Sequence, residues 1–183
     1  MSALEYPLEM SREAFEVWAS TVAERWEWVR GFGIPVPHAF AGGTWAHARI
    51  ASRIFAKLSA GLQPPCEAVI GDLMRVATPT SQRYGDMYVV CERVDPAATV
   101  LATPKVVIEV VSHESVERDL LEKRDEYLGI PGLEAYFAFF EEEHRALEYL
   151  PQDRHAPTEH RDVVLIHGVA IVLPDLFTDL GSP

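Results

Sequence analysis

Residues 106–131 read VVIEVVSHESVERDLLEKRDEYLGIP, and this stretch decides which fold the chain can adopt. It begins with an apolar run that surrounds Glu109, a pattern typical of a strand buried on both faces. Because an unpaired buried charge is costly, the Glu109 carboxylate should be paired with a cationic group or bound to a metal ion. The charged segment that follows predicts a helix that ends at Gly129 and Pro131.

A second carboxylate precedes another apolar run. Asp86 stands at the head of DMYVVC, which also predicts a strand. If the two strands are neighbours, Asp86 and Glu109 would converge on one cation, and such oxygen ligands suit Mg²⁺ or Mn²⁺ better than zinc. In the alternative interpretation, Glu109 pairs with a nearby Arg or Lys and Asp86 is a turn residue. Spacing alone favours neither interpretation.

The helix after Glu109 carries three polar residues on one face. Asp119, Lys123 and Tyr127 are spaced four apart, so their side chains lie one above another. By itself this pattern fits a solvated Asp119–Lys123 ion pair, which stabilises a helix by only about 0.2–0.5 kcal/mol. Next to a buried glutamate, the same helix is a natural way to bring an ammonium group over a metal site.

The remaining segments complete the predicted fold. Residues 9–28 predict a helix with Ser11 as its N-cap, and residues 44–62 predict a second helix with a buried Ile and Leu stripe. Strand-like segments lie before and after the charged helix, with residues 151–162 as a polar loop. This order predicts an α/β (α+β mixed) fold with one mixed sheet flanked by helices, in a single domain over residues 1–183. No GxGxxG, P-loop or GxSxG motif occurs, which argues against dinucleotide enzymes, NTPases and hydrolases of those types.

Composition narrows the class of protein further. The 183 residues carry a net charge of -12, which argues against general nucleic-acid binding by the whole surface. No apolar run is long enough to span a bilayer and no secretory signal is visible, so we expect no membrane contact and a cytoplasmic location. Cys66 and Cys91 are too few for a disulfide scaffold and lack zinc-type spacing, and we interpret them as small apolar residues between neighbouring strands.

Basic residues are concentrated in one part of this acidic chain. Residues 28–85 contain six Arg and Lys but only two Asp and Glu. Within this part, Arg49, Arg53 and Lys57 are spaced four apart on the second predicted helix and share a face. Such a stripe is usually just solvated. Because no acid neutralises that helix, contacts with backbone phosphates are the second interpretation.

Residues 107–137 resemble the signature of the Uma family of proposed endonucleases, within the PD-(D/E)XK nuclease superfamily. The resemblance extends over about residues 20–140 and implies a restriction-endonuclease-like core, in which a central mixed β-sheet is flanked by helices. The positions that match the family pattern are Glu27, His47, Asp86, Glu109, Ser112, Asp119, Lys123 and Tyr127.

The resemblance implies metal-dependent hydrolysis of phosphodiester bonds in nucleic acid, with DNA as the expected substrate. Asp86 and Glu109 would hold Mg²⁺ or Mn²⁺ together with the backbone carbonyl of Val110. The superfamily usually has a lysine two residues after the glutamate, where this chain has Val111. The hypothesis is that Lys123 reaches in from the following helix and orients the attacking water.

The other matching positions would support this chemistry. Glu27 would add a metal or water contact from the N-terminal helix, and His47 would contact phosphate or assist proton transfer. A histidine near a helix start is more often a packed or capping residue, so His47 is a secondary candidate. Ser112, Asp119 and Tyr127 are expected to support the site.

The chain also departs from the family pattern, and the departures leave two alternatives open. One is a weakly active or inactive nuclease fold that acts as a binding or regulatory module, and the other is a structural domain with a satisfied Glu–Lys pair. Members of the family are often dimers, so a homodimer is also an expectation. The departures are Gly85 and His113 where the family has proline, Phe32 where it has an acid, and Phe139 or Phe140 where a late aspartate is usual.

Overall fold

The computed structural model of the protein describes residues 7–36, 44–71, 74–113 and 115–179. Its helices are α1 (Arg12–Ala19), α2 (Trp45–Gly61), α3, which is a π-helix over Arg118–Lys123 and an α-helix over Arg124–Tyr127, and α4 (Leu173–Phe177). Its strands are β1 (Leu8–Glu9), β2 (Trp26–Val29), β3 (Phe32–Pro35), β4 (Glu67–Ile70), β5 (Arg75–Ala77), β6 (Ser81–Tyr84), β7 (Met87–Val90), β8 (Val100–Leu101), β9 (Val106–Val111), β10 (Ala135–Phe140), β11 (Arg145–Leu150), β12 (Asp153–His160), β13 (Val163–Ile166) and β14 (Val169–Val172).

The central sheet has six strands in the order β12-β11-β10-β9-β7-β4. Strands β9 and β10 run parallel, and β7 lies antiparallel to β9 with Met87 opposite Ile108. Strands β7 and β9 are therefore neighbours, which is the condition for Asp86 and Glu109 to converge. Both β9 and β10 are buried along their whole length, as expected for central strands rich in Val and Phe. Helix α2 packs against one face and α3 against the other, which confirms the predicted fold class.

The alternation of side chains along β9 decides where Glu109 points. Val106, Ile108 and Val110 pack in the same cluster as the Ile and Leu stripe of α2. Val107 and Val111 pack on the opposite face, with Tyr127 of α3. Because successive side chains of a strand alternate between faces, Glu109 shares the face of Val107 and Val111 and is directed towards α3.

A second six-stranded sheet, in the order β1-β3-β2-β6-β5-β8, corrects the prediction of one mixed sheet. The helix predicted over residues 9–28 begins after its predicted N-cap Ser11 but ends at Ala19. The WEWV segment that follows becomes β2, because aromatic and β-branched residues suit a strand. Glu27 therefore lies on a strand and not on the N-terminal helix.

The C-terminal part also differs from its prediction. Strand β12 occupies most of residues 151–162, which were predicted to be a loop. Residues 163–173, predicted as one strand, form the antiparallel hairpin of β13 and β14. His167 and Gly168 have φ values of 46° and 82°, and two such residues make the tight turn that matches the twist of a hairpin.

The two cysteines differ from their interpretation as apolar fillers. Cys66 and Cys91 form a disulfide bond just beyond the paired ends of β4 and β7.

Among the described residues, no helix is both long and apolar enough to cross a membrane. The single domain over residues 1–183 stays a prediction.

Candidate active site

Two neighbouring strands bring the predicted carboxylates side by side. Asp86 directly precedes β7, and its backbone N–H donates to Oε2 of Glu109 in β9 over 3.1 Å. Oδ2 of Asp86 in turn accepts from the Val110 N–H at 2.7 Å. These reciprocal hydrogen bonds fix the position of each carboxylate relative to the other strand.

The turn before β7 presents Asp86 in a defined orientation. The Gly71 N–H donates to the Asp86 carbonyl at 2.9 Å, and the Gly85 N–H donates to the Tyr88 hydroxyl at 2.7 Å. A Cβ atom on Gly71 would lie 2.1 Å from the Gly85 carbonyl oxygen, so a larger residue would force the turn apart. The close backbone approach at Gly71 therefore helps to set the position of Asp86.

Helix α3 covers Glu109 with the three residues that the sequence placed on one face. Lys123 Nζ donates to Glu109 Oε1 at 2.9 Å and lies 3.4 Å from Asp119 Oδ1. The Tyr127 hydroxyl donates to the same Oε1 at 3.1 Å. All four side chains are buried, so the Asp119–Lys123 pair is not the solvated surface pair that the sequence also allowed. Lys123 also donates to the Tyr84 carbonyl at 2.9 Å, which fixes its ammonium group from a third side.

The electrostatics of this cluster favour an additional positive charge. Burial raises the pKa of the Glu109 carboxyl to about 8, although Lys123 opposes the shift, and the charges of Asp86 and Asp119 add to it. Burial alone would lower the pKa of Lys123, but the charges of Glu109 and Asp119 outweigh it and hold this pKa above its ordinary value. Lys123 thus faces three acids, of which Asp86 also contacts His47 and Asp119 also contacts Arg118.

His47 contacts Asp86 from the first turn of α2. Thr44 caps this helix by accepting from the His47 N–H at 3.0 Å, and His47 Nε2 lies 3.1 Å from Asp86 Oδ2. Burial would lower the pKa of His47, but its hydrogen bond to Asp86 and the charge of that carboxylate raise the pKa to about 9. Burial likewise would raise the pKa of Asp86, but His47 lowers it below its usual value. The imidazole is therefore protonated at neutral pH and donates to Asp86.

Glu27 lines the same pocket but is engaged in a different way from the predicted one. Its Oε2 accepts from Arg83 at 3.0 Å and its Oε1 accepts from the Tyr84 N–H at 2.9 Å. Arg83 is also paired with Glu126 of α3, at 2.7 Å. Because the Tyr84 carbonyl receives Lys123, Glu27 acts on the site by positioning the end of β6. The predicted metal or water contact of Glu27 stays a prediction.

Ser112 shapes the chain between β9 and α3. Its N–H donates to the Ser115 hydroxyl at 3.1 Å, and its carbonyl accepts from the Ser115 N–H at 3.2 Å. These hydrogen bonds connect the end of β9 to the start of the segment that carries Lys123. Ser112 also lines the pocket, and its supporting role stays a prediction.

These residues surround an open pocket of about 1040 Å³. Within the described part of the chain, its lining includes seven Asp and Glu but four Arg and Lys, so the formal charge of the lining is negative. A pocket with this charge binds a phosphate poorly unless a cation is present. The lining carboxylates are Glu27, Asp86, Glu109, Asp119, Glu122, Glu141 and Glu142.

Glu141 is a pocket residue that sequence reasoning missed. It directly follows β10, whose carboxyl end lies beside that of the parallel strand β9. Its Oε1 accepts from the Thr44 hydroxyl at 2.7 Å, whereas among the described residues its buried Oε2 has no hydrogen-bond partner. The available signal was an acid just after Phe139 and Phe140, the positions where the family pattern has an aspartate.

The basic stripe of α2, predicted to bind phosphates, lies outside the pocket. Arg53 donates to carbonyl oxygens at the end of α4 and after it, at 2.6 and 2.9 Å, and Arg49 lies 3.5 Å from the Asp179 carboxylate. Lys57 is exposed on the same helix, and none of the three lines the pocket. The assumption that no acid neutralises this stripe is corrected, because Asp179 approaches it from a distant part of the sequence.

The residues at the pocket fit a hard divalent cation. Asp86 and Glu109 offer carboxylate oxygens, and the backbone carbonyl of Val110 follows directly in β9. Oxygen donors of this kind suit Mg²⁺ and Mn²⁺. The buried Oε2 of Glu141 and the surplus of carboxylates over cationic groups are further signs that the pocket is built for a positive charge.

Comparisons with known proteins agree with this geometry. Residues 12–179 match the model of the Uma2 family, described as "Putative restriction endonuclease". The chain belongs to this family. Among solved structures, it is similar to a "putative nuclease belonging to DUF820" from Anabaena variabilis, with a TM-score of 0.65 and 16% sequence identity over 87% of this chain and 95% of that chain. This structural similarity supports the nuclease-like fold. Comparison with curated proteins gave no match.

Proposed function

We propose that this Uma2 protein is a Mg²⁺- or Mn²⁺-dependent endonuclease that hydrolyses phosphodiester bonds, with DNA as its substrate. The observation that carries the proposal is that two carboxylates and one buried ammonium line the same open pocket. The backbone N–H of Asp86 donates to Glu109 Oε2 at 3.1 Å, and Lys123 Nζ donates to Glu109 Oε1 at 2.9 Å. Membership of the Uma2 family and the nuclease-like fold support the proposal.

Asp86 and Glu109 would hold the cation, with the Val110 carbonyl as a third oxygen. The chemistry that the cation supplies is activation of water and neutralisation of the charge that develops on the phosphate. Glu109 is kept in place by Tyr127 and by the Asp86 N–H, so its orientation does not depend on the substrate.

Lys123 would position the attacking water. Its ammonium group is fixed by Glu109, Asp119 and the Tyr84 carbonyl, and its raised pKa keeps it protonated. It therefore acts as a hydrogen-bond donor and positive charge rather than as a base. His47 is protonated beside Asp86 and is placed to give a proton to the leaving oxygen.

The pocket rim offers cationic groups for the phosphates of the substrate. Arg25 and Arg118 line the pocket, unlike the stripe on α2. Arg118 is 29% exposed and lies 3.3 Å from Asp119. Because these groups are few and the chain is acidic, we expect substrate binding to be confined to the site, with a shallow dependence on salt of about 0.9 in the slope for each phosphate contact.

A homodimer is a further part of the proposal, because a duplex has two strands and each copy of the chain would supply one site. Sedimentation or light scattering gives the oligomeric state, and the ratio of nicked to linear plasmid reports how many strands are cut in one encounter. A monomer that produces only nicks would contradict this part and leave the rest intact.

The second candidate function is an inactive nuclease fold that acts as a nucleic-acid-binding or regulatory module. The observation in its favour is that Glu109 already accepts hydrogen bonds from Lys123, Tyr127 and the Asp86 N–H. A carboxylate satisfied in this way is stable without a metal ion. This candidate predicts binding of nucleic acid without cleavage.

The decisive experiment is calorimetric titration of Mg²⁺ and Mn²⁺, with plasmid and RNA cleavage scored on the same samples. Wild type is compared with the double variant Asp86→Asn/Glu109→Gln. The matched control, Asp175→Asn/Glu24→Gln, removes the same two charges at exposed positions outside the pocket. Metal binding and cleavage that are lost only in the first variant support the endonuclease, and their absence in wild type favours the second candidate.

A further inference from the structure

Three side chains with metal-binding atoms meet at the end of β7 opposite to Asp86. His167 Nε2 lies 3.3 Å from Cys66 Sγ and 3.5 Å from Cys91 Sγ. Cys66 precedes β4, Cys91 follows β7, and His167 lies in the turn of the β13–β14 hairpin. At about 3.3 Å per strand residue, Asp86 and Cys91 are about 16 Å apart along the chain. None of the three side chains lines the pocket.

A carboxylate fixes the orientation of the imidazole in this cluster. His167 Nδ1 lies 2.9 Å from Glu134 Oε2. A neutral imidazole has one donor and one acceptor nitrogen, so donation from Nδ1 to Glu134 leaves the lone pair of Nε2 directed at both sulfur atoms. Disulfide sulfurs carry no hydrogen to donate. Lone pairs therefore converge on one point, which is what a metal ion requires.

The donor types and the two nitrogen-to-sulfur distances match those of a zinc site, and the two bonded sulfurs would separate on reduction. Zinc takes thiolate sulfur at about 2.3 Å and imidazole nitrogen at about 2.0–2.1 Å, so in a tetrahedral site sulfur and nitrogen ligands are about 3.5 Å apart. The two separations between His167 and the cysteines, 3.3 and 3.5 Å, are close to this value. In metal sites, a histidine ligand usually donates the N–H of its other ring nitrogen to a carboxylate, as His167 does to Glu134.

We propose that the reduced protein binds Zn²⁺ through Cys66, Cys91 and His167, with Glu134 as a positioning residue. A dithiol reductant supplies two electrons and two protons to the disulfide and becomes a disulfide itself. Binding of Zn²⁺ then displaces the two thiol protons to solvent, and water takes the fourth position. A disulfide oxidant reverses these steps: it takes two electrons from the two thiolates and two protons from solvent, becomes a dithiol, and releases Zn²⁺ as the Cys66–Cys91 disulfide forms.

Zinc at this place would fasten the C-terminal hairpin to the central sheet. Cys66 and Cys91 adjoin two paired strands of that sheet, whereas His167 belongs to the hairpin. The hairpin also contacts the end of α2, since a Cβ on Gly61 would lie 2.7 Å from Val169. The disulfide alone joins only the two sheet strands. The metal would therefore join the hairpin to both sheet strands, whereas the disulfide joins only the two strands to each other.

The test uses Co²⁺ as a spectroscopic probe and Zn²⁺ as its competitor. The folded protein is reduced with a phosphine, free thiols are counted, and Co²⁺ is added without oxygen. We expect a thiolate-to-cobalt charge-transfer band that Zn²⁺ abolishes and that the oxidised protein lacks. Cys66→Ser and His167→Ala should lose the band, and Glu134→Gln should weaken affinity roughly 10–100-fold.

Two controls separate this site from the pocket. His155→Ala removes an exposed histidine of β12 and should leave the band unchanged. Asp86→Asn/Glu109→Gln removes the pocket carboxylates and should also retain it, so that either proposal can fail alone. Two free thiols without a charge-transfer band would overturn the zinc site. A disulfide that the reductant cannot reduce in the folded protein would also overturn the zinc site, because Cys66 and Cys91 would then form a permanent structural disulfide.

Discussion

The side chains that meet at the two ends of β7 differ in their chemistry. At one end, Asp86 meets Glu109, Lys123 and His47 in a buried network of oxygen and nitrogen atoms. At the other end, Cys91 meets a second cysteine and a histidine in a partly exposed cluster. The first set suits a hard cation such as Mg²⁺ and the second a soft one such as Zn²⁺. One short strand therefore separates two proposed ligand sets that would prefer different metals.

The two ends of β7 also differ in the contacts that hold them in place. The carboxylate end is held by neighbouring strands and by a helix that follows β9 within a few residues, so most of its contacts are between nearby parts of the central fold. The sulfur end depends on a contact between Cys66 and His167, which are 101 residues apart in sequence. Loss of the C-terminal hairpin should thus damage the second end more than the first.

The largest effect is expected from Glu109→Gln, which should abolish metal-dependent cleavage. Glutamine keeps the size of the side chain and an acceptor for Lys123 and Tyr127, but it removes the charge that the cation requires. Plasmid cleavage measures the loss, and circular dichroism checks that the variant is folded. The cobalt spectrum of the reduced protein should be unchanged, because the other end of β7 is untouched.

The matched control for this change is Glu24→Gln, at an exposed position outside the pocket. It should cleave like wild type. If Glu109→Gln unfolds the chain, the carboxylate is a structural group and the proposed mechanism loses its main support. If the variant folds and still cleaves, the metal is held by other residues.

Lys123→Met should cause the largest loss of stability. It leaves Glu109 and Asp119 buried without their ammonium partner, and breaking a buried ion pair in this way costs about 3–5 kcal/mol. Chemical denaturation measures the free energy of unfolding. Because a cation in the pocket would replace part of the lost charge, added Mg²⁺ should restore some stability to the variant.

The control for Lys123→Met is Lys57→Met, since Lys57 is exposed on α2 and such a surface change is usually within about 0.5 kcal/mol. An unfolding free energy of Lys123→Met equal to that of wild type would show that the ion pair contributes nothing measurable. Restoration by Mg²⁺ in the variant but not in Asp86→Asn/Glu109→Gln would locate the cation at the carboxylate end of β7.

The sequence placed most residues of the carboxylate end because its signals are local, and because a carboxylate in an apolar strand costs too much free energy to occur without a partner. A buried Glu109 demands a partner, and helical spacing placed Lys123 and Tyr127 on one face. The neighbouring strand that carries Asp86 needed only one assumption about pairing, which the structure supports. The family resemblance added Glu27 and His47, of which His47 contacts Asp86 and Glu27 instead supports Tyr84.

The features that the sequence did not predict depend on contacts between distant segments. The pairing of Arg49 with Asp179 spans 130 residues, and helical spacing says nothing about what docks against a stripe. Cys66 and Cys91 have no recognisable motif, because their third partner comes from a hairpin that was predicted as one strand. Glu141 was missed because its role depends on the parallel pairing of β9 and β10.

The affinity of the carboxylate end for Mn²⁺ should rise with pH. Burial foremost raises the pKa of Glu109 to about 8, and a metal ion binds only the deprotonated carboxylate. Below this pKa the proton competes with the metal, so affinity should fall by up to about tenfold for each pH unit.

Calorimetry in two buffers with different protonation enthalpies measures the protons released at each pH. The measurement is made on the oxidised protein, so that thiols at the other end of β7 contribute nothing. A constant affinity for Mn²⁺ from pH 6 to pH 8 would show that Glu109 is already ionised in this range or that it does not bind the metal.

The smallest effect is expected from Arg118→Ala, which tests where the substrate phosphates lie. Loss of one phosphate contact should reduce the slope of log affinity against log salt by about 0.9 for duplex DNA. The matched control is Arg53→Ala, whose guanidinium donates to carbonyl oxygens around the end of α4 and not to the pocket. Binding is measured by fluorescence anisotropy in the Glu109→Gln background, so that the DNA stays intact. A slope that changes with Arg53 and not with Arg118 would return the phosphates to the basic stripe of α2 and remove them from the carboxylate end of β7.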